Sequence, residues 1–284
     1  MSNTKSSSGR WIWRIVIFLT LGLAIFIGYS VWKVQSARGR LAGSFPTELT
    51  VLQYTPKDVI ADLGGMKVHI PKHCAEYVEY DSDSTFGEKR KFSLQHLPAS
   101  KLRGFEIDVR FPEMRCQDND AMREDRRRNF LSRENPWIGI TINSGAIYPK
   151  LGAGAIDALV MAVTDTIDKP GKFWFDNFER LPTSDFGLEA YVVAGMDPRL
   201  GKPARESLDT YDIFIHRIAE GAADTYITCN KTDRYNGIAT CQMIFGMAPR
   251  ASVYLKVMFA RSQLPHWSKI KQSTFDLLTS FEVR

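Results

Sequence analysis

The 284-residue sequence lacks the short, fixed-spacing motifs that announce the common enzymatic chemistries. It has no G-x-S-x-G elbow, no Walker phosphate loop, no H-E-x-x-H zinc pair and no S-x-N pairing of the β-lactamase kind. "GAGAID", Gly152 to Asp157, lacks the third glycine of a dinucleotide fingerprint and reads as a loop before a helix. Ser268 and Lys271 match S-x-x-K, but both fall on the polar face of an amphipathic segment. Histidine is scarce. None of His69, His73, His96, His216 and His266 has a Ser, Cys or acid at a spacing that implies a triad. His216 alternates with Phe214 on an expected strand and reads as structural. The only grouped metal candidate is "HIPKHC", with His69, His73 and Cys74, and Pro71 between the histidines argues against a helical i, i+4 pair. The expectation is no catalytic residue, no cofactor and no metal.

A concentrated field of one charge sign is missing too. Net charge is +5, but of the 37 basic residues Lys5, Arg10, Arg14 and Lys33 lie in the first 33 positions, which hold no acid. The remaining 33 basic side chains face 32 acidic ones, so nothing supports nucleic-acid binding. The local exception is "REDRRR", Arg123 to Arg128, within a charged stretch at 113–135 that reads as an exposed loop or short helix.

What is present begins with "IVIFLTLGLAIFIGYSVW", Ile15 to Trp32: 18 uncharged, mostly apolar residues between Arg14 and Lys33. At about 1.5 Å per residue, a helix of this length roughly covers a ~30 Å hydrocarbon layer. Trp11, Trp13, Tyr29 and Trp32 stand near its ends, where amphipathic rings favour the interface. A cleaved signal peptide is the weaker reading, because the run is long and no clear A-x-A site follows. Flanking basic residues nearly tie, and the short N-tail favours N-in. The expected layout is a cytoplasmic tail (1–14), a transmembrane helix (15–32), a tether (33–48) and a periplasmic domain (49–284), on the inner membrane.

The cysteines fit that compartment. Cys229 and Cys241 flank a stretch containing Asn236-Gly237, a pair suited to a tight turn, and a five-residue loop from Asp233 to Gly237 would set them directly opposite on neighbouring strands. That favours a disulfide over zinc, which needs four ligands, or over C-x-x-C redox chemistry. Cys74 and Cys116 pair by elimination; the alternative is four reduced thiols in a cytosolic domain.

"VIADLGGMKVHIP" reads as two strands joined through Gly64-Gly65. In "GFEIDVRFP", Phe105, Ile107, Val109 and Phe111 alternate with polar residues, as in a half-buried strand. "AIDALVMAVTDTI", Ala155 to Ile167, predicts a helix with Ile156, Leu159, Val160 and Val163 on one face. After Pro170-Gly171, short aromatic-rich segments separated by turn residues predict an antiparallel meander. In the last segment Pro265 suits a first helical turn, and Trp267, Ile270, Thr274, Leu277, Leu278 and Phe281 recur at helical spacing. The fold expected is α+β: a mainly antiparallel sheet covered on one side by this C-terminal amphipathic helix and the 155–167 helix. A division near 170–180 into two halves is the alternative.

The N-terminal anchor, "DLGGMKVHIPKH", "FGEKRKF", "FEIDVRFP", the "ITCN…ATCQ" hairpin and the ending "VYLKVMFARSQLPHWSKIKQSTFDLLTSF" together resemble periplasmic immunity-type proteins that guard against type VI secretion effectors. The last strand and helix are also similar to Mog1/PsbP-like α+β domains. The resemblance implies a protein partner, a toxin delivered into the periplasm, and no enzymatic activity; it assigns no binding residues. Arg123, Arg126, Arg127 and Arg128, and the aromatic run Phe173-Trp174-Phe175, are candidate contacts. The alternatives are an envelope structural or assembly component and an anchored hydrolase whose site assembles only in space.

Overall fold

The computed structural model describes residues 57–84, 96–182, 186–218, 221–232 and 237–283, all within one compact unit, Gln53–Arg284. The expected tail, transmembrane helix and tether, and the "FGEKRKF" loop, lie outside the described residues.

A first hairpin pairs β1 (Val59–Leu63) with β2 (Met66–Ile70) through Gly64 and Gly65, both at positive φ. A Cβ on Gly64 would lie 2.5 Å from the Ser252 carbonyl oxygen, so only glycine permits this approach. Twelve further strands follow: β3 (Glu76–Tyr80), β4 (Leu102–Arg110), β5 (Arg115–Cys116), β6 (Trp137–Asn143), β7 (Phe178–Arg180), β8 (Glu189–Val193), β9 (Met196–Asp197), β10 (Lys202–Pro203), β11 (Tyr211–Arg217), β12 (Ala223–Asn230), β13 (Thr240–Gly246) and β14 (Tyr254–Ala260). Ten of them form one antiparallel sheet in the order β3-β4-β6-β14-β13-β12-β11-β8-β7, with β5 beside β4. β11 to β14 are the expected meander. Residues from both sides of the 170–180 segment share this sheet, because β6 pairs with β14.

Among the described residues four α-helices accompany it: α1 (Asp120–Asn129), the single turn α2 (Tyr148–Leu151), α3 (Ala155–Asp168) and α4 (Trp267–Ser280). Period-2 alternation gives the sheet two distinct faces. One carries Phe105, Ile107, Val109, Ile138, Ile140, Ile142, Leu255, Val257 and Phe245, all buried. It is sealed by the β1–β2 hairpin and by α4, which inserts Trp267, Ile270 and Leu278 into the same core. Full burial of such aliphatic side chains stabilises by about 1.5–3 kcal/mol each. Backbone bonds from His69 N to Phe281 O (2.8 Å) and from Val283 N to Lys67 O (2.9 Å) tie the hairpin to the chain end. The six residues before α4, Arg261–His266, form a 3-10 segment that contains Pro265, so the α-helix begins later than the proline suggested.

On the other face α3 buries Val160 and Val163 in a smaller core with Ile213, Ile215, Tyr226 and Ile244. The two helices expected on one side therefore lie on opposite sides. An apolar stripe declares that a helix packs on a sheet, not which face it takes. By length and composition Gly145–Asp168 could cross a membrane, yet it is broken at Gly152–Gly154 and packs through α3 onto the sheet.

Cys229 and Cys241 are register partners with Cα atoms 4.0 Å apart, joined as a buried disulfide between β12 and β13. Cys74 and Cys116 form the second disulfide, Cα–Cα 5.2 Å, tying the segment after β2 to β5.

Candidate functional site: the open half of the sheet

Between α1 and α3 no described residue covers the second face. One row of cross-strand partners runs along its floor: Thr228 on β12, Gln242 on β13, Met258 on β14, Gly139 on β6 and Asp108 on β4. Five strands at about 4.8 Å spacing make this floor roughly 19 Å long. Two clefts that share Thr240 and Met258 divide it, one of about 260 Å³ beside α1 and one of about 470 Å³ beside α3.

The α1 half is charged and aromatic. Asn119 caps α1, its Oδ1 accepting from Met122 N at 2.9 Å, while Asp120 and Arg126–Arg128 complement the helix dipole at either end. The helix buries no residue. Polar contacts hold it instead: Arg126 pairs with Asp108, and Asp125 accepts from Arg110 Nε (3.1 Å) and Trp137 Nε1 (3.0 Å). Burial would push the Asp125 carboxyl up, but the bonds from Trp137 and Arg110 outweigh it and hold the group below its ordinary value. Asp108 is the reverse case. Burial holds it above the ordinary value, partly opposed by Arg126 and reinforced by Glu106. Glu76, opposite Glu106 across β3 and β4, is raised by burial and then by Asp108. Beyond the helix Phe130 and Leu131 stand 63% and 62% exposed, and Phe130 lines the cleft together with Met258, itself 49% exposed.

Gly139 keeps this half open. A Cβ there would meet only Asp108 Oδ1, at 3.4 Å, so a larger side chain would project into the cleft. The α3 half is neutral, with Thr228, Gln242, Asn230, Tyr211, Tyr226 and Leu159 among its lining residues.

The residues singled out in the sequence are scattered. Of the arginines, Arg126 anchors α1, Arg123 and Arg127 pair within the helix with Asp120 and Glu124, and the "REDRRR" stretch is helical. In the aromatic run Trp174 packs against the smaller core with Arg199 over its ring at 5.0 Å, whereas Phe173 and Phe175 are exposed and stack on each other at 5.3 Å. His69 bonds Asp58 at 3.0 Å and Cys74 is disulfide-bonded, so "HIPKHC" does not converge. His216 Nδ1 lies 2.6 Å from Asp224 Oδ1, and Lys271 Nζ donates to Asp224 Oδ2 at 2.7 Å. This His–Asp–Lys group joins β11, β12 and α4 beside Trp267; Thr225, the register partner of His216, shares its Asp224 and Lys271, and His216 itself makes no hydrogen bond to a Ser, Thr or Cys side chain among the described residues. Its arrangement is that of a structural brace. The open groove was invisible in the sequence because its floor takes one residue from each of five separate strands.

No protein-family model matches the chain, and no curated protein matches its sequence. Among solved structures, an immunity protein of the Stenotrophomonas maltophilia type IV secretion system is similar, at 16% identity and a TM-score of 0.47, over 81% of this chain and 95% of that one. A likeness at that level transfers no function.

Proposed function

We propose that this chain is a membrane-anchored, extracytoplasmic binding protein that neutralises a secreted antibacterial effector by docking onto it, and so acts as an immunity protein. The observation that carries the reading is the α1 half of the open face. One side of the sheet is sealed, while among the described residues the other leaves an unfilled cleft rimmed by exposed Phe130 and Met258 together with Arg126 and Trp137. Aromatic residues, methionine and arginine around a desolvatable pocket are the groups that dominate protein–protein affinity. Two disulfides fit an oxidising compartment, and the apolar run at 15–32 supplies the anchor. The sequence resemblance to periplasmic immunity-type proteins points to type VI delivery as the source of the toxin.

The reading is tested by exporting to the periplasm the toxin encoded beside this chain, with and without the full-length chain. Protection by the chain, lost in Phe130→Asp, supports docking at this half. Protection unchanged in Phe130→Asp and Gly139→Trp overturns it.

A further inference from the structure

We propose that the neutral half of the open face, beside α3, is a binding site for a neutral oligosaccharide chain. This goes beyond the docking reading and does not rest on it.

The cleft of about 470 Å³ lies within the range of small-ligand sites, roughly 300–1,000 Å³. None of the described residues that line it is charged. Phosphates, carboxylates and cations would have to shed water there without a counter-charge, which excludes them as its ligands. What the floor offers instead is uncharged hydrogen-bonding capacity that the protein leaves unspent. Thr228 and Gln242 are cross-strand partners, and neither the hydroxyl nor the side-chain amide has a hydrogen-bond partner among the described residues. Asn230 uses its Oδ1 to accept from Thr240 N at 2.6 Å, which leaves its Nδ2 free to donate. The phenol groups of Tyr211 and Tyr226 are likewise without a partner among those residues.

Hydroxyls and amides both donate and accept, as do the hydroxyl and acetamido groups of a sugar. Adjacent strands set these groups about 4.8 Å apart and successive residues of one face about 6.6 Å apart, a grid able to engage neighbouring substituents of one chain. The Tyr211 ring, 36% exposed, stands at the side as an apolar surface for the C–H face of a sugar ring. A polypeptide fits less well. This is the face of a sheet and not its edge, so a peptide laid on it would find no backbone ladder for its own N–H and C=O groups.

The test is calorimetric titration of the full-length chain, held in a detergent without a sugar headgroup, with chitotetraose and with cellotetraose. The expected result is saturable binding of at least one of them, with chitotetraose the tighter if acetamido groups are read. Thr228→Val and Gln242→Leu each remove hydrogen-bonding groups from a partly exposed position and are expected to weaken binding about tenfold, the worth of one good hydrogen bond, at unchanged melting temperature. Silence of both sugars up to about 10 mM, a range that captures even millimolar affinity, overturns the proposal. So do both variants binding like the parent, or a neutral capped tetrapeptide binding where the sugars are silent. Loss of sugar binding leaves toxin protection untouched, and loss of protection leaves sugar binding untouched, so the two readings fail separately.

Discussion

Arg126 of α1 pairs with Asp108 of β4 across the open face, and this contact anchors a helix that buries none of its own residues. Replacing Arg126 with Ala leaves the largely buried Asp108 beside Glu106 with no counter-charge. The expected loss is about 1–3 kcal/mol of unfolding free energy in urea. Arg126→Ala/Asp108→Asn should recover part of it, and the coupling from the double-mutant cycle measures the pair.

Glu76 reports the same acidic strip with a definite sign. Burial, followed by Asp108, holds its folded carboxyl above the ordinary value. Its ionisation therefore weighs against the fold, an effect absent below the unfolded carboxylate range and complete once pH exceeds the folded value. Glu76→Gln is expected to raise the melting temperature at about pH 7 and to leave it unchanged near pH 3.5. Equal shifts at both values would refute the assignment.

Asp224 has the opposite sign. Burial would raise it, but the bonds from Lys271 and His216 prevail and hold it below the ordinary range. It contributes stability above its unfolded value, and that contribution disappears as pH falls through the folded one. Asp224→Asn should lower the melting temperature at neutral pH and converge with the parent in strong acid. Thermal scans across pH read both limbs.

The crosslinks rank by the loops they close. Sequence separations of 42 for Cys74–Cys116 and 12 for Cys229–Cys241 correspond to about 4 and about 3 kcal/mol of denatured-state entropy. Cys74→Ala/Cys116→Ala should shift the denaturation midpoint more than Cys229→Ala/Cys241→Ala. Non-reducing gels of the parent check that both bonds form in cells.

Local chemistry made part of this structure legible beforehand. Gly64-Gly65 marked the first hairpin, the alternation around Phe105 marked β4, and the spacing of the cysteines with Asn236-Gly237 set Cys229 opposite Cys241. Each of these is decided within a few residues. The insertion of β6 between β4 and β14 depends on a pairing more than a hundred residues apart, and the side on which α3 lies depends on contacts with strands far along the chain from it; no local signal exists for either. The position of α1 was hidden for a related reason: a helix whose only apolar residues are the adjacent Ala121 and Met122 has no apolar stripe, and its dock is an ion pair with a strand ten or more positions away.

The most direct measurement is survival of cells that export to the periplasm the product of each gene adjacent to this chain's own, while producing the full-length chain or its Gly139→Trp variant at matched levels. A Cβ at Gly139 meets only Asp108 Oδ1, at 3.4 Å, and an indole carried on it enters the α1 half of the cleft among Arg126, Phe130, Trp137 and Met258, so it fills the docking surface; a melting temperature matching the parent's checks that the variant is folded. Protection by the parent and death with the variant is the outcome expected. Full protection by a variant whose cleft is plugged would contradict the claim that this face meets the toxin.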